Sequence, residues 1–340
     1  MELGPRALEG VERMSDRWSG RSVLVTGATG LVGSWLCSEL LARKARVTAF
    51  VRDWDPQSLL IRSGTVARVS VVQGALENFD AVQRAIDEQD INTVFHLGAQ
   101  AIVGVAYNNP LLTFESNIRG TYNLLEACRR RRPRVGPIVI ASSDKAYGVC
   151  PTLPYTESSP LAASFPYDVS KACADMLAQS YAATYQLPVA IARCGNIFGG
   201  GDTNWSRLIP SVIRSLLQGV RPVVRSDGTP RRDYVHVDDA VGAYLAIAEG
   251  FDRQDLSGQG FNFGPEDSHS VLQVIDELRT ITGRDLAPDI QNTAHAEIPD
   301  QHLDSTKART MLGWTPKVPL REALTRTMHW YAEHLEHTHD

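Results

Sequence analysis

Short apolar segments rich in β-branched residues alternate with amphipathic segments between residues 21 and 198. We predict strands in RSVLVTG, ARVTAFV, ARVSVVQG, NTVFHLGA, PIVIASS and LPVAIARC. The segments between them carry apolar residues three or four positions apart, which predicts helices, most clearly in LVGSWLCSELLARK, NIRGTYNLLEACRR and residues 167–185. Because parallel neighbouring strands must be joined by a crossover, usually a helix, the alternation predicts an α/β fold with a doubly wound parallel sheet.

The pattern changes after about residue 199. Glycine and proline become frequent, the strands shorten, and isolated helices are predicted in SRLIPSVIRSLLQG and HSVLQVIDELRTIT. We therefore expect residues 199–340 to form mainly a smaller, mixed α/β lobe over the strand ends of the first domain, with an interleaved boundary. Residues 1–20 carry charges throughout and lack the apolar core of a signal peptide, so we predict a flexible leader there.

Composition and charge exclude several classes of protein. The 340 residues carry a net charge of −5 and are 43% hydrophobic, as in a globular chain of about two domains. We find no basic footprint for nucleic acid and no apolar run of about 20 residues for a membrane span. The arginines at 129–132 fall at the end of a predicted helix, where cations are favoured. The five cysteines lack a C-x-x-C pair and the nine histidines lack metal-ligand spacing, which predicts reduced thiols, a cytoplasmic protein and no bound metal.

Three glycines separate the first predicted strand from the first predicted helix. Gly27, Gly30 and Gly33 lie in TGATGLVG. Residues without side chains let the backbone approach a pyrophosphate at a helix N-terminus. The spacing is G-x-x-G-x-x-G rather than G-x-G-x-x-G, but its position at the first strand–helix junction predicts the nucleotide site of a Rossmann domain over residues 21–198. The alternative is a turn that only starts a helix.

The end of the second predicted strand bears on the choice of dinucleotide. An acidic residue there would accept hydrogen bonds from the ribose hydroxyl and favour NAD. Asp53 can serve in this way, whereas Arg52 could bind a 2′-phosphate and favour NADP. Both could also be ordinary loop charges, so the sequence predicts NAD and leaves NADP open.

Tyr167 and Lys171 form a Y-x-x-x-K pair in a predicted helix, and this spacing places both side chains on one face. A lysine beside a tyrosine favours the phenolate, which is a better base near neutral pH. Ser143 lies upstream in SSDKAYG, at the end of a predicted strand. Beside a nicotinamide, these three side chains can remove a hydroxyl proton while a hydride leaves the same carbon.

With these motifs the chain resembles the extended short-chain dehydrogenase/reductase family, which includes nucleotide-sugar epimerases and dehydratases. FHLGAQ, NIRGTYNLLEA, ARCGNIFGGGD, RRDYVHVDD and LGWTP occur in the family's order. The resemblance implies an NAD-dependent enzyme whose smaller lobe binds a nucleotide sugar. It implies cofactor contacts from Gly27, Thr29, Gly30, Leu31, Val32, Gly33, Arg52, Asp53, Leu76, Leu97, Ala99, Tyr167 and Lys171. Many relatives carry an acidic residue in the turn where this chain has Ala75 and Leu76.

The segment SSDKAYG narrows the resemblance to the 4,6-dehydratases of the family. These enzymes place an acid at the position of Asp144 to protonate the departing 6-hydroxyl group, and Lys145 is the candidate base at C5. The Asp-Lys pair is similar to dehydratases of CDP-glucose and of UDP-N-acetylglucosamine. GSWL, GGGDTNWSRLIP and FNFGPEDS favour the CDP-glucose group, whereas Arg232-Asp233-Tyr234 replaces the Arg-Pro-Trp typical of that group. A salt bridge or a solvated turn is the alternative for the Asp-Lys pair.

The resemblance also implies a site for the substrate diphosphate and an assembly. It assigns the diphosphate to Asn196 and Arg232, with Arg207 as a weaker candidate. Arginine suits this task because its paired donors match phosphate oxygens. It further implies a homodimer joined through a four-helix bundle, formed by NIRGTYNLLEACRR and residues 167–185 of each chain.

Three functions compete on these residues. The first is a nucleotide-sugar 4,6-dehydratase, with CDP-glucose as the expected substrate. The second is a nucleotide-sugar 4-epimerase, which would need only Ser143, Tyr167 and Lys171. The third is a non-catalytic nucleotide-binding regulatory protein, a class that typically lacks the tyrosine or the lysine. Asp144 and Lys145 favour the dehydratase.

Overall fold

A seven-stranded parallel sheet forms the centre of the computed structural model, which describes residues 17–265, 267–293 and 298–335. The strands follow the order β11-β6-β5-β4-β1-β2-β3. They are β1 (Ser22–Thr26), β2 (Arg46–Val51), β3 (Ser70–Gln73), β4 (Thr93–His96), β5 (Ile138–Ala141), β6 (Val189–Cys194) and β11 (Gly260–Phe263). The chain reverses direction of travel between β3 and β4, so the sheet is doubly wound, which confirms the predicted fold.

Helices cover both faces of this sheet. In chain order they are α1 (Leu31–Ala42), α2 (Leu59–Arg62), α3 (Phe79–Glu88), α4 (Val103–Asn108), α5 (Pro110–Phe114), α6 (Gly120–Arg130), α7 (Pro166–Tyr185), α8 (Leu208–Leu217), α9 (Val237–Gly250), α10 (Val271–Thr282), α11 (Thr306–Leu312) and α12 (Leu320–Leu335). One apolar layer includes Leu36, Tyr244 and Leu312, and the other includes Ile86, Leu125 and Ala178. Burial of both sheet faces explains why the strands read as nearly continuous apolar runs.

Helix α6 begins one turn later than the sequence pattern predicts. The segment NIRGTYNLLEACRR starts in a π-helical turn, Glu115–Arg119, and becomes α-helical at Gly120. Asn117 in this turn is fully paired, because its Oδ1 accepts from the Gln100 N–H at 2.7 Å and its Nδ2 donates to the Ser170 hydroxyl at 2.8 Å. The wider turn therefore places a buried amide between the loop after β4 and helix α7.

The smaller lobe contains three short sheets. Its strands are β7 (Asn196–Phe198), β8 (Val223–Val224), β9 (Arg231–Arg232), β10 (Tyr234–His236), β12 (His269–Ser270), β13 (Asp289–Ile290) and β14 (Asp300–Gln301). They pair as β10-β7, β12-β9-β14 and β13-β8. Helices α8, α10 and α12 enclose an apolar core that includes Ile213, Ile275 and Leu324.

The chain returns from this lobe to the large sheet before it ends. Strand β11 pairs with β6, and helix α9 packs on α1. Residues 237–263 thus lie with the Rossmann layers although they follow residue 199 in sequence. The interleaving arises because β6 needs a parallel neighbour on its outer edge, and the sequence reaches that edge only after passing through the lobe.

The last residues of the predicted leader are packed rather than flexible. Residues 17–20 form a turn in which Trp18 is fully buried, and its indole Nε1 donates to Glu249 Oε1 at 2.8 Å. Trp18 also packs against Phe95 with 6.0 Å between ring centroids. Burial of a large aromatic side chain with a satisfied N–H accounts for this order. The remainder of the leader, residues 1–16, lies outside the described residues.

None of the described helices is long and apolar enough to cross a membrane. The cysteines are free thiols, and Cys37, Cys128 and Cys194 are buried. Burial raises the pKa of Cys37 and of Cys194 to about 12. These thiols are therefore apolar filling within the core.

Candidate active site

The glycine turn after β1 leaves no room for side chains. Gly27 has φ of +68°, and a Cβ there would lie 2.7 Å from the backbone N of Gly98. A Cβ at Gly33 would lie 2.1 Å from the Gly27 carbonyl oxygen. The turn thus packs backbone to backbone against the turn after β4, and neither Gly27 nor Gly33 has room for a side chain.

Helix α1 opens directly above this turn. Its N-cap residue is Gly30, which offers no side-chain hydrogen bond to the first N–H groups. Thr29, Leu31 and Val32 surround this helix start, and Gly30 itself is exposed. An uncapped helix N-terminus beside a glycine cradle fits the pyrophosphate of a dinucleotide, because its N–H groups and helix dipole favour an anion.

A chain of buried hydrogen bonds lies next to the glycine turn, at the ends of β1 and β4. Thr26 Oγ1 accepts from the Gly98 N–H at 3.0 Å and lies 2.8 Å from His96 Nδ1. His96 Nε2 lies 3.0 Å from Thr121 Oγ1, whose proton goes to the Asn117 carbonyl at 2.6 Å. This donor order assigns His96 a proton on Nε2 and none on Nδ1. Burial lowers the pKa of His96 to about 3, so the ring is neutral.

The other cofactor residues expected from the sequence surround the same end of the sheet. Leu76 is buried, and a Cβ at Gly98 or Gly120 would come within 2.8 Å of its side chain. Leu97 and Ala99 are half-buried after β4. Arg52 and Asp53 follow β2 in exposed positions, and Arg52 Nε donates to Asp53 Oδ2 at 2.6 Å. Asp53 therefore neutralises Arg52 locally, which reduces the positive charge available to a 2′-phosphate.

Ser143, Tyr167 and Lys171 lie at the end of β5 and along the first turns of α7. Lys171 Nζ donates to the Ala141 carbonyl at 2.8 Å, and Ser143 hydrogen-bonds to the Tyr167 phenol. Burial lowers the pKa of Lys171 to about 8. Tyr167 retains some exposure as a residue, but its phenol is enclosed by protein.

The effect of these contacts on Tyr167 differs from the sequence expectation. Burial raises its pKa, with Asp144 and Asp168 acting in the same direction and Arg207 opposing. The lysine spacing alone predicted a more acidic phenol. Burial dominates, because the loss of water around the phenol outweighs the opposing charge of Arg207.

Asp144 and Lys145 form a single 3-10 turn, Asp144–Tyr147, directly after Ser143. Asp144 is only 1% exposed, and its Oδ1 accepts from the Ser143 hydroxyl at 2.8 Å. Its Oδ2 is buried without a hydrogen-bond partner among the described residues. Lys145 is half-buried, and its Nζ donates to Gln301 Oε1 at 3.0 Å. The Asp-Lys pair is thus neither a mutual salt bridge nor a solvated turn.

Two further carboxyl groups lie near this pair. Burial raises the pKa of Asp168 to about 6, with Lys145 lowering it and Asp144 raising it. Burial and Asp144 raise the pKa of Asp233 well above its ordinary value. Sequence reasoning missed both roles, although Asp168 follows Tyr167 directly and Asp233 was noted only as a departure from the CDP-glucose group. The raised pKa of each group results from burial, and burial cannot be inferred from motif spacing.

The three residues expected at the substrate diphosphate come from different parts of the lobe. Asn196 opens β7 and is half-buried, and Arg232 in β9 is 7% exposed. Arg207 precedes α8, and its Nη1 pairs with Asp202 Oδ2 at 2.8 Å. Arg207 lies close enough to Tyr167 to lower the pKa of that phenol, and Arg232 acts in the same way on Tyr155. Arg207 therefore lies near Tyr167, and Arg232 lies near Tyr155.

Comparisons with known proteins agree with this geometry. Residues 23–264 match the family described as "NAD dependent epimerase/dehydratase family". The chain is 31% identical over 333 residues to CDP-glucose 4,6-dehydratase of Salmonella typhimurium, with 92% of this chain and 91% of that protein covered.

Solved structures are similar over the same extent. The UDP-glucose 4-epimerase of Thermotoga maritima, solved with UDP-glucose, has a TM-score of 0.85 and 27% identity over 92% of this chain and 99% of that one. The dTDP-glucose 4,6-dehydratase of Bacillus anthracis, solved with NAD, has a TM-score of 0.81 and 26% identity over 93% and 98%. With a family match over most of its length and a curated relative above 30% identity, this chain belongs to the NAD-dependent epimerase/dehydratase family.

Proposed function

We propose that this chain is a nucleotide-sugar 4,6-dehydratase, which converts a nucleoside diphosphate hexose to the 4-keto-6-deoxy sugar. The observation that carries the proposal is the placement of Asp144 and Lys145. A buried carboxyl group and an amine follow Ser143 in one turn, and they have different hydrogen-bond partners. An elimination needs both a proton donor and a proton acceptor, whereas oxidation at one carbon needs only the Ser143–Tyr167–Lys171 set.

NAD is the cofactor of the proposed reaction. The glycine turn, the start of α1, Leu76, Leu97 and Ala99 would hold it, with Asp53 near the ribose. When bound, it accepts a hydride from C4 of the sugar and returns that hydride to C6. The Arg52–Asp53 ion pair supports NAD over NADP.

Tyr167 acts first in this proposal. Its phenolate oxygen removes the proton of the 4-hydroxyl group while the C4–H bond breaks. For Ser143 to stabilise this phenolate, its hydroxyl proton must turn from Asp144 Oδ1 to the Tyr167 oxygen. Lys171 places a positive charge behind the phenol from its anchor on the Ala141 carbonyl. Because burial raises the pKa of Tyr167, this added positive charge must favour the phenolate during turnover.

Lys145 and Asp144 act on the resulting ketone. The ketone acidifies C5, and the Lys145 amine takes the C5 proton to become an ammonium. Asp144 gives its proton to the departing 6-hydroxyl group, which leaves as water. Lys145 then returns a proton to C5, and the proton taken by Tyr167 passes to solvent and balances the one supplied by Asp144. Asp144 is 1% exposed, and its Oδ2 has no hydrogen-bond partner among the described residues, so this oxygen is the one proposed to carry the proton.

We further propose that the substrate is CDP-glucose, bound through its diphosphate by Asn196, Arg207 and Arg232. The relative from Salmonella typhimurium supports this choice. Incubation with CDP-, dTDP-, UDP- and GDP-glucose tests it, with loss of one water followed by mass and the 4-ketone followed by absorbance in base. Water loss with none of the four would overturn the dehydratase, and water loss with another nucleotide would overturn only the choice of CDP.

A 4-epimerase is the second candidate function. The similarity to the UDP-glucose 4-epimerase of Thermotoga maritima favours it. The same panel separates the two reactions, because an epimerase gives a product of unchanged mass. A non-catalytic regulatory protein ranks lowest, because Tyr167 and Lys171 are both present with the Ala141 anchor in place.

We propose a homodimer formed through α6 and α7, with α4 and α5 beside them. Apolar side chains exposed on these helices support it: Tyr107 at 66%, Leu111 at 70%, Tyr122 at 39% and Met176 at 59%. A patch of this kind on one face is typical of a protein–protein interface. We also propose a cytoplasmic location, in keeping with the free cysteines.

A further inference from the structure

Gln301 joins the two lobes at the proposed base. It lies in β14, which pairs with β9 so that Gln301 is opposite Arg232. Its side chain is fully buried, and its Oε1 accepts from Lys145 Nζ at 3.0 Å across 156 residues of sequence. A side chain of the smaller lobe therefore holds an amine of the Rossmann domain.

The backbone around Gln301 is fixed on both sides. The Tyr155 N–H donates to the His302 carbonyl at 2.9 Å, and the Leu303 N–H donates to Asp233 Oδ2 at 3.1 Å. The Gln301 amide Nε2 lies beside the Tyr155 phenol, but it makes no hydrogen bond of regular geometry with a described residue. A fixed backbone and a buried side chain give Oε1 a defined position, and hence Lys145 Nζ as well.

The charge of Gln301 matters as much as its position. An amide oxygen accepts more strongly from an ammonium than from a neutral amine, but it can accept from both, so Lys145 can lose its proton without losing this contact. A carboxylate at the same place would hold the ammonium as an ion pair. Asp168 from α7 and Asp233 from the strand segment next to β9 lie close enough to Lys145 for its charge to lower their pKa, and Asp144 precedes Lys145 in the chain.

Two of these carboxyl groups are shifted toward their neutral forms. Burial raises the pKa of Asp168 to about 6 and that of Asp233 well above its ordinary value. An anionic carboxylate stabilises an ammonium, so each shift weakens this attraction, although Asp168 is still mostly ionised at pH 7. The amide of Gln301 adds no charge to these surroundings.

We propose that Gln301 is a positioning residue for Lys145: its side-chain oxygen orients the amine toward C5 of the sugar, and its neutrality leaves that amine free to accept the C5 proton. The proposal rests on the proposed function, because it requires Lys145 to act as the C5 base.

Two substitutions test separately whether Gln301 acts by orienting Lys145 or by carrying no charge. Gln301→Met removes the acceptor at similar volume, and we expect kcat to fall about tenfold or more with KM within about twofold, as for a misplaced catalytic group. Gln301→Glu keeps the acceptor and adds a negative charge. We expect it to move the ascending limb of the kcat–pH profile up by about one pH unit or more, so that its activity approaches wild type at high pH whereas that of Gln301→Met does not.

Exchange at C5 supplies a second readout. In deuterated water, both variants are expected to slow deuterium incorporation at C5, while oxidation at C4 continues and reduced nicotinamide accumulates. Gln291→Glu is the matched control, because it makes the same charge change at an exposed site of the same lobe. If Gln301→Met does not fold by circular dichroism, Gln301→Asn takes its place, since its shorter amide cannot reach Lys145 Nζ.

The outcomes distinguish this proposal from the proposed function. If wild type forms no 4-keto-6-deoxy product, the proposed function fails. If wild type forms that product and the variants keep its kcat and pH profile, the role of Gln301 alone is overturned. Equal loss in Gln301→Met and Gln301→Glu at every pH, with unchanged C5 exchange per turnover, would also overturn it and leave a purely structural side chain.

Discussion

Asp144 and Lys145 are neighbours in the chain, but their side chains form hydrogen bonds with different residues. Asp144 is enclosed with Ser143, whereas Lys145 reaches across to Gln301 in the other lobe. A proton donor and a proton acceptor so close in sequence would neutralise each other as an ion pair if they met. Because Asp144 bonds to Ser143 and Lys145 bonds to Gln301, both groups stay available for the proposed elimination.

Tyr167 is the proposed base for oxidation at C4. Tyr167→Phe removes the phenol oxygen and keeps the ring, so we expect kcat to fall by about 10²-fold or more while fold and NAD binding persist. Steady-state rates with the preferred sugar nucleotide measure this. Tyr181→Phe, on the same helix, is the control. A Tyr167→Phe enzyme that keeps more than about a tenth of the wild-type rate would exclude Tyr167 as the base.

Asp144 distinguishes dehydration from epimerisation. Asp144→Asn keeps shape and polarity but cannot donate a proton as an acid, so elimination is expected to become rate-limiting while oxidation at C4 continues. Reduced nicotinamide should accumulate on mixing, visible as absorbance at about 340 nm.

Lys145→Met is the companion variant. It should behave similarly and also lose deuterium incorporation at C5. Formation of the 4-keto-6-deoxy product by Asp144→Asn at the wild-type rate would contradict the assignment of the acid. So would a wild-type enzyme that yields only the C4 epimer.

Asp168 predicts a pH dependence of stability. Burial raises its folded-state pKa to about 6 from the ordinary 3.8, so the folded protein holds this proton more tightly than the unfolded chain. The resulting stabilisation is complete below pH 3.8 and is lost as the pH rises through about 6. Asp168→Asn should therefore raise the free energy of unfolding at pH 7 by about 1–2 kcal/mol and leave it unchanged near pH 4.

Urea unfolding at the two pH values measures this difference. Asp53→Asn is the control, because that side chain is exposed. A gain of equal size at both pH values would show that Asp168 acts through packing and not through its charge.

Residue chemistry was predictable where it depends on local spacing. Tyr167 and Lys171 are four positions apart, and Ser143 ends a strand, so the sequence brings them together once the helix and strand are assigned. Gln301 could not be found in this way, because 156 residues separate it from Lys145. Asp233 stood in the sequence as a family variant, but its raised pKa follows from burial and from Asp144.

At the scale of elements, the turn between β1 and α1 combines two constraints on one glycine. Gly27 needs a positive φ, and a Cβ there would clash with the Gly98 backbone. Gly64 has a similar φ of +73° but open space around it. A substitution at Gly64 therefore tests the cost of the positive φ alone, whereas a substitution at Gly27 adds the cost of the clash with Gly98.

We expect Gly64→Ala to cost about 1 kcal/mol, the usual penalty of a left-handed residue, and to leave NAD affinity unchanged. Gly27→Ala should lower the stability by more than twice that amount, because the backbone of two turns must also move. It should also weaken NAD binding by tenfold or more, which is about 1.4 kcal/mol or more. Thermal unfolding and NAD titration by fluorescence measure the two effects. Equal NAD affinity in both variants would exclude the glycine turn as the cofactor cradle.

Elements with strong periodicity matched the sequence closely, and irregular ones did not. The predicted helix over residues 167–185 corresponds to Pro166–Tyr185, because the proline fixes its first turn. The π-helical turn Glu115–Arg119 was not predictable, since it depends on the buried contacts of Asn117 with Gln100 and Ser170. The periodicity of apolar residues predicts which face of a helix is buried, but it does not predict whether a turn is α-helical or π-helical.

At the scale of the molecule, the two lobes share a cleft because the chain passes between them more than once. The change of pattern near residue 199 predicted a second lobe, and β11 then returns to the large sheet. Which strand fills the edge beside β6 depends on pairing across more than sixty residues (Ile191 with Gly260), and local pattern does not encode it. The turn at residues 17–20 shows the same limit, because Trp18 is ordered by Glu249, which follows it by 231 residues in the chain.

The assembly prediction concerns the exposed apolar side chains of α4 to α7. Leu111 and Met176 lie 70% and 59% exposed on helices that contact each other, which is costly for a monomer in water. A two-fold axis beside α6 and α7 would bury both copies of this patch and form a closed dimer. Light scattering at micromolar concentration should then give roughly twice the chain mass of 37.4 kDa.

Charge placed in that patch should separate the subunits. The double variant Leu111→Asp with Met176→Asp should scatter as a monomer, because two-fold symmetry brings each new carboxylate near its copy and into an apolar surface. Val220→Asp introduces the same charge at a side chain 57% exposed on the other lobe and should remain a dimer. A wild-type protein that scatters as a monomer would contradict the predicted dimer. A double variant that stays dimeric would place the interface elsewhere on the surface.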